Sequence, residues 1–414
     1  MRDGEIRALG EIAGRLIARP SATARDLHQA VARRVFGGLG PLGLPVRVIH
    51  DSVAAASYRG VGAALRAPLA AGGRAVARSS ASSRSLAESR AGALALGAAN
   101  GVFGDRLARD HPDLAMSLGF WREGREIPLR ANAVAATFGD ASPRLAVFVH
   151  GLCETEDSWA APYPGARPRP TYGDRLRADL GSTPVFVRYN TGLHISDNGR
   201  TLAERLEELV AAWPVEPQEI ALIGHSMGGL VVRSACRYGE LEGRDWTRRV
   251  RHVVCLGTPH LGAPLEKAAN LATWTFNRLP ETRPFGELLV GGRSVGIKDL
   301  RFGSCLEEDW CDCDPDEFLR DRCREFPFLE SASYCFVGAT LLPRRDGVGG
   351  VLGDLLVTYR SASGDGRRRR IPFEAENGRH VGGIDHLRLL NHPVVYRQMR
   401  DWLAGPERVG DRSV

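Results

Sequence analysis

Ile220-Ala221-Leu222-Ile223-Gly224-His225-Ser226-Met227-Gly228-Gly229 decides how this chain is read. The four apolar residues at its start predict a short strand buried on both faces. The strand runs directly into a serine framed by glycines, and the segment after it opens a helix. The turn is so tight that side chains at both flanking positions would clash, hence the glycines. A strand–turn–helix of this kind projects a serine hydroxyl above the carboxyl edge of a sheet. The helix N-terminus behind it offers backbone N–H groups to a developing negative charge. The bland alternative is a glycine-rich turn with an incidental serine.

The same pattern recurs on either side. Leu145 to Val149, Val185 to Val187, Val253 to Leu256 and Tyr334 to Val337 are further short apolar runs. Thr201 to Ala212 carries Leu202, Leu206 and Leu209 on one helical face, with Asp197 or Asn198 as candidate cap and Pro214 just beyond. Strands alternating with helices predict an α/β fold whose mostly parallel sheet is covered on both faces. Phe120 to Ala135 reads as extended, and Pro393 to Leu403 as a closing helix with proline in its first turn. Leu265 to Glu330 is long, charged and cysteine-bearing, and breaks the rhythm. It reads as a cap inserted over the sheet's carboxyl edge. Residues 1–100 read as mainly helical, with Ile6, Leu9, Ile12 and Leu16 at helical spacing and a break or cap region at Ser79 to Ser85.

A serine hydroxyl is barely ionised near neutral pH and needs a base. Of eleven histidines, His386 is the preferred one. It ends Gly382-Gly383-Ile384-Asp385-His386, a loop-like run before the final helix, and the chain order serine, acid, histidine requires a late histidine. His392 precedes Pro393 and reads as a helix cap; His380 is a weaker candidate. The carboxylate that orients the base should follow the strand Tyr334 to Val337. Asp354, in Gly353-Asp354-Leu355-Leu356-Val357, is preferred and Asp346 is the alternative, while Asp385 is expected to point elsewhere. His150-Gly151-Leu152 follows the first buried strand. It can offer the Leu152 N–H to an oxyanion, paired with the Met227 N–H. His150 reads as support for that loop.

The chain has 414 residues, 43% of them hydrophobic and 25% charged, enough for a substantial core in a large domain with an appendage. Its net charge of +6 is uneven: residues 1–140 hold 19 Arg against 12 Asp and Glu. Lys267 and Lys298 are the only lysines, which reads as codon bias in a GC-rich genome. No aromatic-interleaved basic stripe is visible, so nucleic acid is not an expected partner. No secretory signal is evident, and Ala91 to Ala99 is too short to span a bilayer. A cytoplasmic location is the expectation, with the basic, alanine-rich N-terminal region as a candidate peripheral membrane contact. Among eight cysteines, Cys236 and Cys255 lie in apolar segments and read as buried thiols. Cys153 and Cys335 stand apart. Cys305, Cys311, Cys313 and Cys323 offer one close pair, poor spacing for zinc, which leaves disulfides or free thiols open.

Taken together, Val149-His150-Gly151-Leu152, Tyr189-Asn190-Thr191-Gly192, Gly224 to Gly229 and Leu256-Gly257-Thr258-Pro259-His260-Leu261-Gly262-Ala263-Pro264 carry a resemblance. Residues 144–404 resemble the bacterial lipase and esterase branch of the α/β-hydrolases and are similar to the GPI-inositol-deacylase-like lipases. Gly353 to Val357 resembles that family's acid loop, with Leu355 where glycine is usual. Asp385-His386-Leu387 with Leu390-Asn391-His392-Pro393 resembles its histidine loop. The resemblance over 144–404 implies an α/β-hydrolase domain, taken as 131–414, with the segment at about 265–330 read from its broken rhythm as a cap and 1–130 read from its own spacing as a mainly helical extension. It also implies a serine hydrolase cleaving carboxylic esters of lipid or acyl type through Ser226, His386 and Asp354, with no cofactor or metal. An acyltransferase or thioesterase using the same triad stays open, as does a non-catalytic binding protein of the same fold. The resemblance leaves residues 1–130 unassigned.

Overall fold

A computed structural model describes residue 5 and residues 85–160, 170–264, 266, 293–312, 314 and 320–405. The strands are β1 (Gly119–Arg122), β2 (Arg125–Glu126), β3 (Arg144–Val149), β4 (Thr183–Arg188), β5 (Glu219–His225), β6 (Val250–Leu256), β7 (Ser333–Thr340) and β8 (Gly378–Gly382). They form one sheet in the order β2-β1-β4-β3-β5-β6-β7-β8. From β4 across to β8 every pairing is parallel. The β1–β2 hairpin at the edge is antiparallel, and β1 joins β4 antiparallel as well.

The helices are α1 (Arg90–Asp110), α2 (Ala131–Thr137), α3 (Tyr172–Leu180), α4 (Ile195–Ala212), α5 (Met227–Leu241), α6 (Val295–Asp299), α7 (Gly347–Leu352), α8 (Tyr359–Ala362) and α9 (Pro393–Ala404). Successive strand residues point to opposite faces, so each buried strand feeds two cores. Leu145, Val147, Val149, Ile220, Leu222, Val253 and Cys255 pack with Val134 of α2, Leu202 and Leu206 of α4, and Leu230 and Val231 of α5. Ala146, Phe148, Ala221, Ile223, Val254 and Leu256 pack with Tyr172 and Leu176 of α3 and Val395, Tyr396 and Met399 of α9. Continuous apolar runs are therefore needed, since neither face meets water.

The five apolar runs fall in β3, β4, β5, β6 and β7, and the closing helix begins at Pro393 as expected. Two local expectations are corrected. Phe120 to Ala135 is not one extended stretch. It turns at Glu123 and Gly124, both at positive φ, returns as β2, and ends in α2. The helix expected from Thr201 begins at Ile195 instead, and neither Asp197 nor Asn198 caps it. Asn198 sits inside the helix with its amide on the Asn190 carbonyl, while the distant Asp299 carboxylate accepts the Ile195 N–H at 2.9 Å. A cap supplied from another segment leaves no local signal.

The spacing at Ile6 to Leu16 lies outside the described residues, as do the rest of 1–84 apart from Glu5, residues 265, 267–292 and 315–319, and Cys313. Ser85 caps the one-turn helix Leu86–Glu88 that leads into α1. The remaining cysteines, Cys153, Cys236, Cys255, Cys305, Cys311, Cys323 and Cys335, are free thiols. Burial pushes the thiols of Cys236 and Cys255 up to about 12, as apolar surroundings disfavour a thiolate. Among the described residues, no helix is long and apolar enough to cross a membrane.

Candidate active site

Ser226 sits between β5 and α5 with φ 53° and ψ −123°, a conformation that non-glycine residues rarely adopt. The turn is held by the Ser226 N–H on the Leu256 carbonyl at 2.8 Å. A Cβ at Gly224 would lie 2.4 Å from the Gly229 nitrogen, and one at Gly228 would lie 2.2 Å from the Val149 carbonyl oxygen. Those two glycines are thus required by space. Ser226 itself is half-buried, while the helix start behind it is fully covered.

The candidate acid lies in the tight turn after α7. Asp354 is 1% exposed, and its Oδ1 accepts the N–H groups of Leu356 at 3.1 Å and Val357 at 2.8 Å. Its Oδ2 faces His386 Nδ1 at 2.7 Å, and its backbone carbonyl accepts the His386 N–H at 3.1 Å. Leu355 takes φ 88°, a backbone region in which a residue other than glycine is strained. Asp346 instead is exposed and paired with Arg344 at 2.8 Å, away from any histidine partner.

His386 begins a one-turn helix and is buried. Burial disfavours its charged form. The Asp354 carboxylate, by charge and by hydrogen bond, and Glu154 and Asp385 to a lesser degree, outweigh this and raise its pKa above the ordinary value. Its Nε2 is buried with no hydrogen-bond partner among the described residues, the nitrogen left to take a proton. Its ring centroid lies 4.8 Å from that of His225, the residue before Ser226.

The other histidines are placed differently. His392 caps α9 by accepting the Val394 N–H. His380 Nε2 meets the Thr340 hydroxyl at 2.8 Å. His150 stacks on Tyr189, and burial lowers its pKa to about 4 despite its contact with the Gly151 carbonyl, so it is a neutral support for the loop. Leu152 is half-buried in that loop, and Met227 opens α5. Among the described residues neither of their N–H groups is spent on a hydrogen bond.

Parallel strands from β3 to β8, a strained serine after the strand next to β3 and a buried aspartate–histidine pair on later loops form one pattern. The fold is that of the α/β-hydrolases.

A family model described as the PGAP1-like alpha/beta domain matches residues 186–283, from within β4 past the serine turn. No curated protein matches the chain. Among solved structures, it is similar to the mature lipase BlEst2 of Bacillus licheniformis, with 19% identity, 62% of this chain and 91% of that one covered, and a TM-score of 0.40. A lipase-esterase related protein of Clostridium acetobutylicum is 16% identical over 63% of this chain and 93% of that one, with a TM-score of 0.32. The phospholipase PlaB of Legionella pneumophila is 17% identical over 53% and 45%, also with a TM-score of 0.32.

Glu154 is a site residue that sequence reasoning missed. It lies three residues after Gly151, and its carboxylate accepts the Gly151 N–H at 2.8 Å and meets His225 Nδ1 at 3.2 Å. Its only signal is its place directly after the loop that bears Leu152.

Proposed function

We propose that this chain is a serine hydrolase that cleaves carboxylic esters through an acyl-enzyme. The observation that carries the reading is the Asp354–His386 contact at 2.7 Å, with His386 Nε2 left unpartnered beside the turn that strains Ser226.

Ser226 Oγ attacks the ester carbonyl carbon as His386 Nε2 takes the hydroxyl proton. Asp354 holds the Nδ1–H, fixes the tautomer and stabilises the imidazolium. The carbonyl oxygen becomes an oxyanion facing the Leu152 and Met227 N–H groups, at the positive end of α5. The tetrahedral adduct collapses, the C–O bond to the alcohol breaks, and His386 gives its proton to the departing oxygen. Water then loses a proton to His386 and attacks the acyl carbon. Collapse releases the acid, and Ser226 recovers its proton from His386.

The substrate class is an ester of lipid or acyl type. A panel of p-nitrophenyl esters of increasing chain length tests the reading. Turnover of at least one member, lost in Ser226→Ala, supports it. Turnover that survives in folded Ser226→Ala would sink it. Product analysis with an added alcohol separates hydrolysis from acyl transfer, and acyl thioesters test the thioesterase alternative.

A further inference from the structure

We infer that Glu154 and His225 are positioning residues that tie the oxyanion loop to the loop bearing His386. The inference rests on the proposed roles of Ser226, His386 and the Leu152 N–H.

Three hydrogen bonds run in series. The Gly151 N–H donates to Glu154 Oε2 at 2.8 Å. The same carboxylate faces His225 Nδ1 at 3.2 Å. His225 Nε2 lies 3.2 Å from the backbone carbonyl of His386. The chain begins one residue before Leu152, passes through the residue before Ser226 and ends on the base itself. The His225 ring is fully buried, with Trp159 edge-on at 6.3 Å.

The partners fix the protons. A carbonyl only accepts, so His225 Nε2 carries a hydrogen. Nδ1 then faces a carboxylate that is already accepting from Gly151. The contact is a hydrogen bond only if it holds a further proton, on the ring or on the carboxyl. The Glu154 charge is one of the lesser causes that raise the pKa of His386, and its hydrogen bonds, through His225, set where the two loops stand. Cys153, Tyr189 and His150 are the other titratable groups about Glu154, and Asp354 and Asp385 those about His386.

The pair leaves its mark through two distances: that from the oxyanion N–H groups to the reacting carbonyl, and that from His386 Nε2 to the serine. Misplacement of reacting groups by about 1 Å is worth on the order of 10²-fold in rate. Glutamine at 154 keeps both bonds, since its carbonyl accepts from Gly151 and its amide donates to a singly protonated His225. Alanine keeps neither.

The test uses the full chain and a fluorophosphonate probe, which reports on Ser226 without knowledge of the natural ester. Second-order labelling rates and melting temperatures are measured for wild type, Glu154→Ala, Glu154→Gln and His225→Ala. The expected result is a loss on the order of 10²-fold in Glu154→Ala and His225→Ala, with Glu154→Gln within about threefold of wild type. Double replacement should add little to either single one, because both break the same series. Glu154→Ala and Glu154→Gln labelling at equal rates would overturn the inference, whether both match wild type or both fall. If Glu154→Ala does not fold, a slow but folded Glu154→Gln overturns it equally. Failure of the underlying reading shows separately, as a wild-type chain that does not label at Ser226.

Discussion

Asp354 holds His386 twice, once through its carboxylate at Nδ1, 2.7 Å away, and once through its backbone carbonyl on the His386 N–H at 3.1 Å. The first contact sets the tautomer and the second sets where the loop stands. Replacing Asp354 by Asn should therefore spare the loop and damage the chemistry. A fall of roughly 10⁴ in kcat is expected, from a wrong tautomer in an intact site. Asp346→Asn should change little, since Asp346 is exposed and bound to Arg344. Steady-state kinetics on the two variants decides, and a reversed pattern would move the acid to Asp346.

The pH profile follows from the raised pKa of His386. The base must be neutral to take the serine proton. The rate should fall as pH drops through a value above the ordinary 6.5. Losing the Asp354 charge should move this limb to lower pH. Stability runs the other way. A histidine whose pKa is raised on folding contributes stability that is fully present below its unfolded pKa and lost as pH rises through the folded one. Profiles of kcat/KM and of melting temperature against pH test both signs. An acid limb below 6.5 in the wild type would contradict the first.

Leu355 stands at φ 88° where glycine would be at ease, and its side chain is partly exposed. Leu355→Gly should relieve backbone strain and lose little burial, for a net gain of about 1 kcal/mol. Denaturant unfolding measures it. A loss of stability would mean that Leu355 packs better than its exposure indicates.

Helix α1 lies against the loop after β3. A Cβ on Gly101 would come 2.2 Å from Cys153 Sγ and 3.0 Å from the Cys153 backbone nitrogen. The Asn190 amide donates to the Gly104 carbonyl at 3.0 Å, and the Ser294 hydroxyl to that of Gly101 at 2.7 Å. Gly101→Val should displace the loop and lower esterase activity, and Cys153→Ala in the same chain should restore part of it. A chain starting near residue 130 should express poorly or aggregate, because it leaves uncovered the surface α1 packs on. A soluble, active truncation with unchanged melting would make the preceding region a separate module.

The legible parts of this fold share one property, local redundancy. β5 and its serine turn could be read because the apolar run, the glycines and the helix start lie within ten consecutive residues. Chain order and the strand before the acid loop point to His386 and Asp354, which the structure brings into contact and for which we propose base and acid roles. Parts held by distant partners left no such trace. Asp299 caps α4 from another segment, the short hairpin at Glu123 and Gly124 lacks an alternating pattern long enough to see, and Glu154 gains its meaning only from His225, 71 residues on. Leu355 is the reverse case, a residue whose departure from glycine is visible in sequence but whose strain is visible only in the backbone.

Every step of the proposed chemistry turns on Ser226 as the nucleophile, and covalent labelling bears on that role without intermediaries. The intact chain is treated with a fluorophosphonate probe, digested, and its peptides are weighed by mass spectrometry. The expected outcome is one adduct per chain, on Ser226, absent in Ser226→Ala while that variant melts as the wild type does. An adduct on another residue, or full esterase activity in folded Ser226→Ala, would show that the nucleophile lies elsewhere.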